Sequence, residues 1–265
     1  MTSTTSITPR SVLLAVLVLA VSGMPASAAG GGACSEGAGP LVAAINRNLR
    51  GPEGKMVVGA GTLTYGTQVK YVKFAHYFSP TGEEGFQGED RSVNDYLLRK
   101  VRLVRGADDR ATAMIFVPSL RQGRKMRFKP TQALFGTGEY HHYLLLPMTG
   151  LARDYSFTCA ANGDKLTLVG TRAANASLAP YPTLKLAVSR RGDAWVVDEA
   201  ECEGNAEFET FVEKFSSYQE VVPGYWAPAD VRLNSVHVEI EWHAEPAAPW
   251  IISTQTARME LESIP

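Results

Sequence analysis

The chain has no excess of either charge: Lys and Arg number 26, Asp and Glu 27, and the formal net charge is −1. Nothing is left over to hold a polyanion, which argues against nucleic acid as a partner. Long apolar runs are missing too, apart from one near the N-terminus that starts at Ser11 and extends to about Met24. That is shorter than the roughly 20 residues a membrane-spanning helix needs, so a multi-span membrane protein is excluded. The common catalytic signatures are absent: there is no G-x-S-x-G elbow, no P-loop and no G-x-G-x-x-G after a strand, and Gly136-Thr137-Gly138 is too short to cradle a phosphate. Strands do not alternate with long helices, so a parallel doubly wound sheet is not expected. Repeats, low-complexity tracts and linkers are also lacking.

What is present is globular composition. The 265 residues are 45% hydrophobic and 20% charged, with 24 Gly and 15 Pro. Arg10 precedes the run from Val12 to Val21, and Ala26-Ser27-Ala28 follows it with the small residues a signal peptidase accepts. Residues 1–28 therefore read as a signal peptide, 29–40 as a flexible leader and 41–265 as one domain. The alternative is a lipoprotein acylated at Cys34, although Gly31-Gly32-Ala33-Cys34 lacks the usual leucine-like residue. With three cysteines in an exported chain one is left over. Cys159 and Cys202 lie in the patterned region, so they form the pairing the sequence favours, with free or differently paired thiols as the alternative.

Leu41, Val42, Ile45 and Leu49 recur at helical spacing and stop at Gly51-Pro52, which predicts one amphipathic helix. Beyond it the period changes to two. Val101 and Leu103, Leu166 and Leu168, and Leu184, Leu186 and Val188 alternate with polar partners, and in Val236–His243 every even residue is apolar while every odd one is His or Glu. Further strands are expected at 57–65, 69–78, 112–117, 195–199, 208–218 and 257–261, giving roughly nine to eleven in all. Turn residues at Gly82–Gly85, Gly106–Asp109, Asn162–Asp164 and Arg191–Asp193 separate several of them into an antiparallel meander.

Candidate metal or acid–base groups are few. His141 and His142 would point to opposite faces of a strand. His237 and His243 are about 20 Å apart along an extended strand, so they read as solvated strand-face residues. The acidic run Glu199–Glu203 reads as a solvent loop. No metal and no cofactor are expected. The one strong charge cluster, Arg121, Arg124, Lys125 and Arg127, is either a solvated hairpin or a docking patch for an acidic protein or anionic lipid headgroups.

Three segments carry a resemblance. The run Ile115-Phe116-Val117-Pro118-Ser119-Leu120-Arg121-Gln122-Gly123-Arg124-Lys125-Met126 resembles the apolar strand, aromatic-x-Pro-Ser-Leu turn and arginines of the outer-membrane lipoprotein-sorting (LolA-like) family. Phe135-Gly136-Thr137-Gly138-Glu139-Tyr140 is similar to its glycine-centred segment. Phe215–Val221 followed by Gly224-Tyr225-Trp226-Ala227-Pro228 is similar to its late strand pair and turn. His141-His142 departs from the family pattern, and residues 53–95 match it poorly.

The resemblance implies a mainly β fold, an incomplete (half-open) antiparallel β-barrel curled around one or a few short helices. Its apolar concave face would shelter lipid or lipoprotein acyl chains across the periplasm, without enzymatic chemistry, between an inner-membrane transporter and an outer-membrane acceptor. Candidate lining residues are the apolar members of the regular strands: Leu166, Leu168, Leu184 and Leu186, with Val236, Val238, Ile240 and Trp242. A regulatory interaction module on the same fold is the alternative, and a small-molecule enzyme on this scaffold a third.

Overall fold

The computed structural model describes residues 34, 37–52, 55–78, 84–90, 100–105, 111–117, 122–127, 150–162, 165–176, 179, 181–204, 210–235, 239–244 and 250–253. The fold is mainly β. Helix α1 (Ala38–Arg50) precedes a first run of strands: β1 (Lys55–Tyr65), β2 (Gln68–Phe78), β3 (Glu84–Asp90), β4 (Lys100–Arg105), β5 (Ala111–Val117) and β6 (Gln122–Arg127). The short helix α2 (Leu151–Asp154) opens a second run: β7 (Tyr155–Asn162), β8 (Lys165–Arg172), β9 (Thr183–Arg191), β10 (Ala194–Glu203), β11 (Phe211–Val222), β12 (Tyr225–Ser235), β13 (Glu239–Ala244) and β14 (Trp250–Ser253).

These strands form one antiparallel sheet in the order β6-β5-β4-β3-β2-β1-β13-β12-β11-β10-β9-β8-β7. Within each run, from β1 to β6 and from β7 to β13, every strand pairs with its sequence neighbour as a meander, and the two meanders join where β13 pairs with β1. β14 pairs with the opposite end of β1, from Lys55 to Val58. The terminal strands β6 and β7 are not paired with each other among the described residues, which leaves the barrel half-open.

The sheet holds fourteen strands among the described residues, more than the nine to eleven expected. One additional strand lies at an expected turn, and one expected strand runs on through an expected loop. Glu84 and Gly85, expected in a turn, begin β3, and the acidic run Glu199–Glu203, expected as a loop, is the end of β10. The run alternates: Ala200 and Cys202 are buried while Glu199 and Glu201 face water and bond to Lys214 and Lys185 on neighbouring strands. The strand expected at 257–261 lies outside the described residues.

Helix α1 forms because Leu41, Val42 and Ile45 make one apolar stripe, and it packs mainly on β10, with further contacts to β7, β12 and α2. Arg47 and Arg50 in its last turn suit the negative end of the helix dipole. Gly51 ends it at φ 72°, and a side chain there would stand 3.0 Å from Val57 Cγ2. Asn48 then fixes the helix to the sheet. Its Nδ2 donates to the Trp226 carbonyl and its Oδ1 accepts from the Trp226 N–H, both at 2.9 Å, so the amide satisfies a β12 peptide as a neighbouring strand would.

The cysteine pairing differs from the expectation. Cys34 bonds Cys159, with Cα atoms 5.6 Å apart, and Cys202 is free and buried. The reason is sheet order. Cys159 on β7 and Cys202 on β10 have β8 and β9 between them, about 14 Å at the usual strand spacing, and a disulfide spans at most about 7 Å between Cα atoms. The segment before α1, read as a free leader, is thus tied to an outer strand of the sheet.

Candidate functional site

Antiparallel pairing puts directly opposed residues on one face, so the register shows how the inner face is built. One row runs Leu168, Leu186, Ala200, Glu213, Leu233 across β8 to β12, and a second runs Gly170, Leu184, Cys202, Phe211. All of these apolar side chains are buried, and α1 lies over them. In the second row the Phe157 ring of β7 takes the space a side chain at Gly170 would need, within 2.5 Å of its Cβ position. Tyr181 meets Phe211 edge to face with ring centres 5.0 Å apart.

The outer face of the same strands is a lattice of ion pairs. Lys185 meets Glu201 at 3.2 Å, Lys214 meets Glu199 at 3.5 Å, and Arg232 meets Glu241 at 2.6 Å. His243 Nδ1 lies 2.7 Å from Asp230, and its Nε2 lies 3.7 Å from Glu241. Hydrogen bonds from Ser217 and then His243 hold the Asp230 carboxyl below its usual range. Ser217 and His243 both address Asp230, so the arrangement does not set His243 on a nucleophile. Such exposed pairs contribute little stability, and they mark the face that meets water.

The sequence-derived residues divide between these regions. Leu166, Leu168, Leu184 and Leu186 are buried in the core under α1. Ile240 and Trp242 lie on β13, at register positions opposite Leu233 and Val231 of β12 and opposite Tyr65 and Leu63 of β1. Val236 and Val238 lie outside the described residues, as do His141, His142, His237 and Arg121. Arg124, Lys125 and Arg127 belong to β6, a terminal strand of the sheet.

One residue of the inner face was not singled out from the sequence. Glu213 is buried between Ala200 of β10 and Leu233 of β12, with Phe211 and Phe215 two positions away on its own strand. Its Oε2 has no hydrogen-bond partner, and burial pushes its carboxyl up to about 8. The signal was in the sequence: Phe211, Glu213 and Phe215 share strand parity, which puts a carboxyl on an aromatic face. Nearby, burial first and the Glu213 charge second push the Cys202 thiol up. The Tyr218 hydroxyl donates to the Val197 carbonyl, beside the point where the β9–β10 register shifts.

An unclosed antiparallel sheet with a helix on an apolar inner face and ion pairs outside has close counterparts among solved structures. A domain from Vibrio parahaemolyticus described as an outer-membrane lipoprotein-sorting protein domain superposes with a TM-score of 0.67 at 9% identity, covering 84% of this chain and 98% of its own. The fold is LolA-like. A LolA superfamily protein from Nitrosomonas europaea gives a TM-score of 0.54 at 11% identity over 79% of this chain and 91% of its own. A DUF1329 family protein from Desulfovibrio piger gives 0.64 at 13% identity over 82% and 92%. No family model and no curated protein matches the sequence. The LolA-like likeness is therefore one of architecture rather than of shared residues.

Proposed function

We propose that the chain is a periplasmic, non-enzymatic carrier that holds lipid or the acylated end of a lipoprotein against the inner face of its LolA-like half-barrel. The observation that supports this reading is an unclosed antiparallel sheet of LolA-like architecture with apolar side chains on its inner face. Shielding an acyl chain there would contribute about 0.8 kcal/mol per buried CH₂. Leu166, Leu168, Leu184 and Leu186 would be the packed base of that face, and Val236, Val238, Ile240 and Trp242 its acyl-facing part. Residues 41–265 would act as one domain after loss of residues 1–28.

Export is supported by the Cys34–Cys159 disulfide, a bond of oxidising compartments. A sulfur engaged with Cys159 cannot also carry a lipid thioether, which favours the soluble form over an anchor at Cys34. Arg121, Arg124, Lys125 and Arg127 would form the patch that docks on a membrane transporter or acceptor.

The decisive experiment is to recover the mature protein from the periplasm, extract it, and identify bound lipid by mass spectrometry, with displacement of a fluorescent fatty-acyl probe as the quantitative arm. Stoichiometric lipid and saturable probe binding are expected. A protein that carries no lipid and binds no probe is a regulatory module rather than a carrier.

A further inference from the structure

Among the described residues the core side chains that β8 to β12 bury are apolar, and the one buried charged group on these strands is the carboxyl of Glu213. No cation among the described residues pairs with it, and burial displaces its titration upward. The groups around it confirm the isolation. On β10 the same face carries Ala200 and the thiol of Cys202, while Glu199 and Glu201 pair outward with lysines. On β12 it carries Leu233, while Arg232 pairs outward with Glu241 of β13. On β11 itself the titratable group that feels Glu213 is Tyr218, and Lys214 pairs outward with Glu199. On α1, Asn46 and Asn48 are buried, Arg50 is half-buried and Arg47 is exposed.

A buried carboxyl oxygen without a hydrogen-bond partner costs folding energy, and a polar group brought to Oε2 would recover it. Leu233 lies between Glu213 and the Ile240 position of β13, so the carboxyl stands two strands away from the acyl-facing part proposed above. A protonated carboxyl there is a hydrogen-bond donor inside hydrocarbon. What it can satisfy is the polar atom of an otherwise apolar guest.

We propose that Glu213 is the polar anchor of the acyl-binding face, donating a hydrogen bond to the ester or amide carbonyl at which an acyl chain joins its headgroup. The inference rests on the carrier reading and adds to it the part of the ligand that is recognised. It makes the protein selective for acyl compounds over alkyl ones of equal length. A hydrogen bond of this kind is worth about three- to tenfold in affinity.

The test uses the full mature chain and two probes, a monoacylglycerol and the alkylglycerol ether of the same chain length, which lacks only the carbonyl. Binding of each is measured by calorimetry from pH 6 to pH 9.5. The wild type is expected to prefer the ester at pH 6 and to lose that preference as pH rises past the point where Glu213 ionises. Cys202 stays a thiol through this range, since its titration is displaced upward. Glu213→Gln, whose amide still donates, should keep the preference at every pH, and Glu213→Leu should bind ester and ether equally. Should Glu213→Leu fail to fold, the pH series of wild type against Glu213→Gln decides alone. Equal binding of the two probes by the wild type at pH 6, or a preference with the same pH profile in wild type and Glu213→Gln, overturns the anchor while leaving the carrier standing. Binding of neither probe overturns both.

Discussion

A carboxyl held in hydrocarbon sets a pH dependence on the whole fold through linkage. The Glu213 titration lies at about 8 in the folded chain against an ordinary value of 4.5. Between those values the folded chain keeps a proton that the unfolded chain has released, so stability falls as pH rises through the window and levels off above it. The slope from this one group is at most about 1.4 kcal/mol per pH unit. Urea unfolding at pH 5, 6, 7 and 8 should show a declining midpoint for the wild type and a flatter series for Glu213→Gln. The residue-level features most visible in the sequence were those repeated along a strand, such as Leu184, Leu186 and Val188. Glu213 was passed over because it is a single polar residue at an apolar position, a conflict that only neighbouring strands reveal. The cysteine pairing was missed for the same kind of reason: sequence spacing carries no information on how many strands stand between two sulfurs.

At the scale of the element, α1 is anchored through the segment before it by the Cys34–Cys159 bond and at its C-terminal end by the Asn48 amide on Trp226. The disulfide closes a sequence separation of 125 residues, so chain-entropy reasoning assigns it roughly 4–5 kcal/mol. Replacing both Cys34 and Cys159 by Ser should lower the thermal midpoint, and non-reducing peptide mapping of the native chain should recover those two cysteines linked. Cys202 should react with a thiol reagent only after unfolding, since it is buried. The helix itself was legible because four apolar residues fall on one stripe, although it starts at Ala38, three residues before the first of them. β12 was not, and Pro228 shows why. A proline argues against a central strand, yet here it lies where β12 has β11 on one side and is beyond the stretch, Asp230–Asn234, that pairs with β13.

For the whole molecule, the half-open class came from the LolA-like resemblance, while an antiparallel meander was legible in many short alternating strands plus one helix. Strand order was not, because the pairing of β1 with β13 joins segments from opposite ends of the chain. Among the described residues β6 and β7 are the terminal strands of the sheet, and β6 carries Arg124, Lys125 and Arg127. Charge on a terminal strand discourages edge-to-edge pairing between copies and also offers a cationic rim to a partner. Reversing Arg121, Arg124, Lys125 and Arg127 should change the unfolding midpoint little while slowing association with anionic vesicles in a salt-dependent way, read by stopped-flow fluorescence.

The seam between the two meanders governs the order in which the molecule is assembled. Within each meander every strand finds its partner a few residues away, whereas Tyr65 must wait for Ile240 and Lys55 for Ser253. Loop-closure entropy makes that long-range pairing the slow event. As the chain emerges from its N-terminus the first meander therefore forms with one side of β1 bare, and it stays so until nearly the entire chain has followed. The interval is when a nascent chain is most open to pairing with the wrong strand, and it ends only when the last strands arrive.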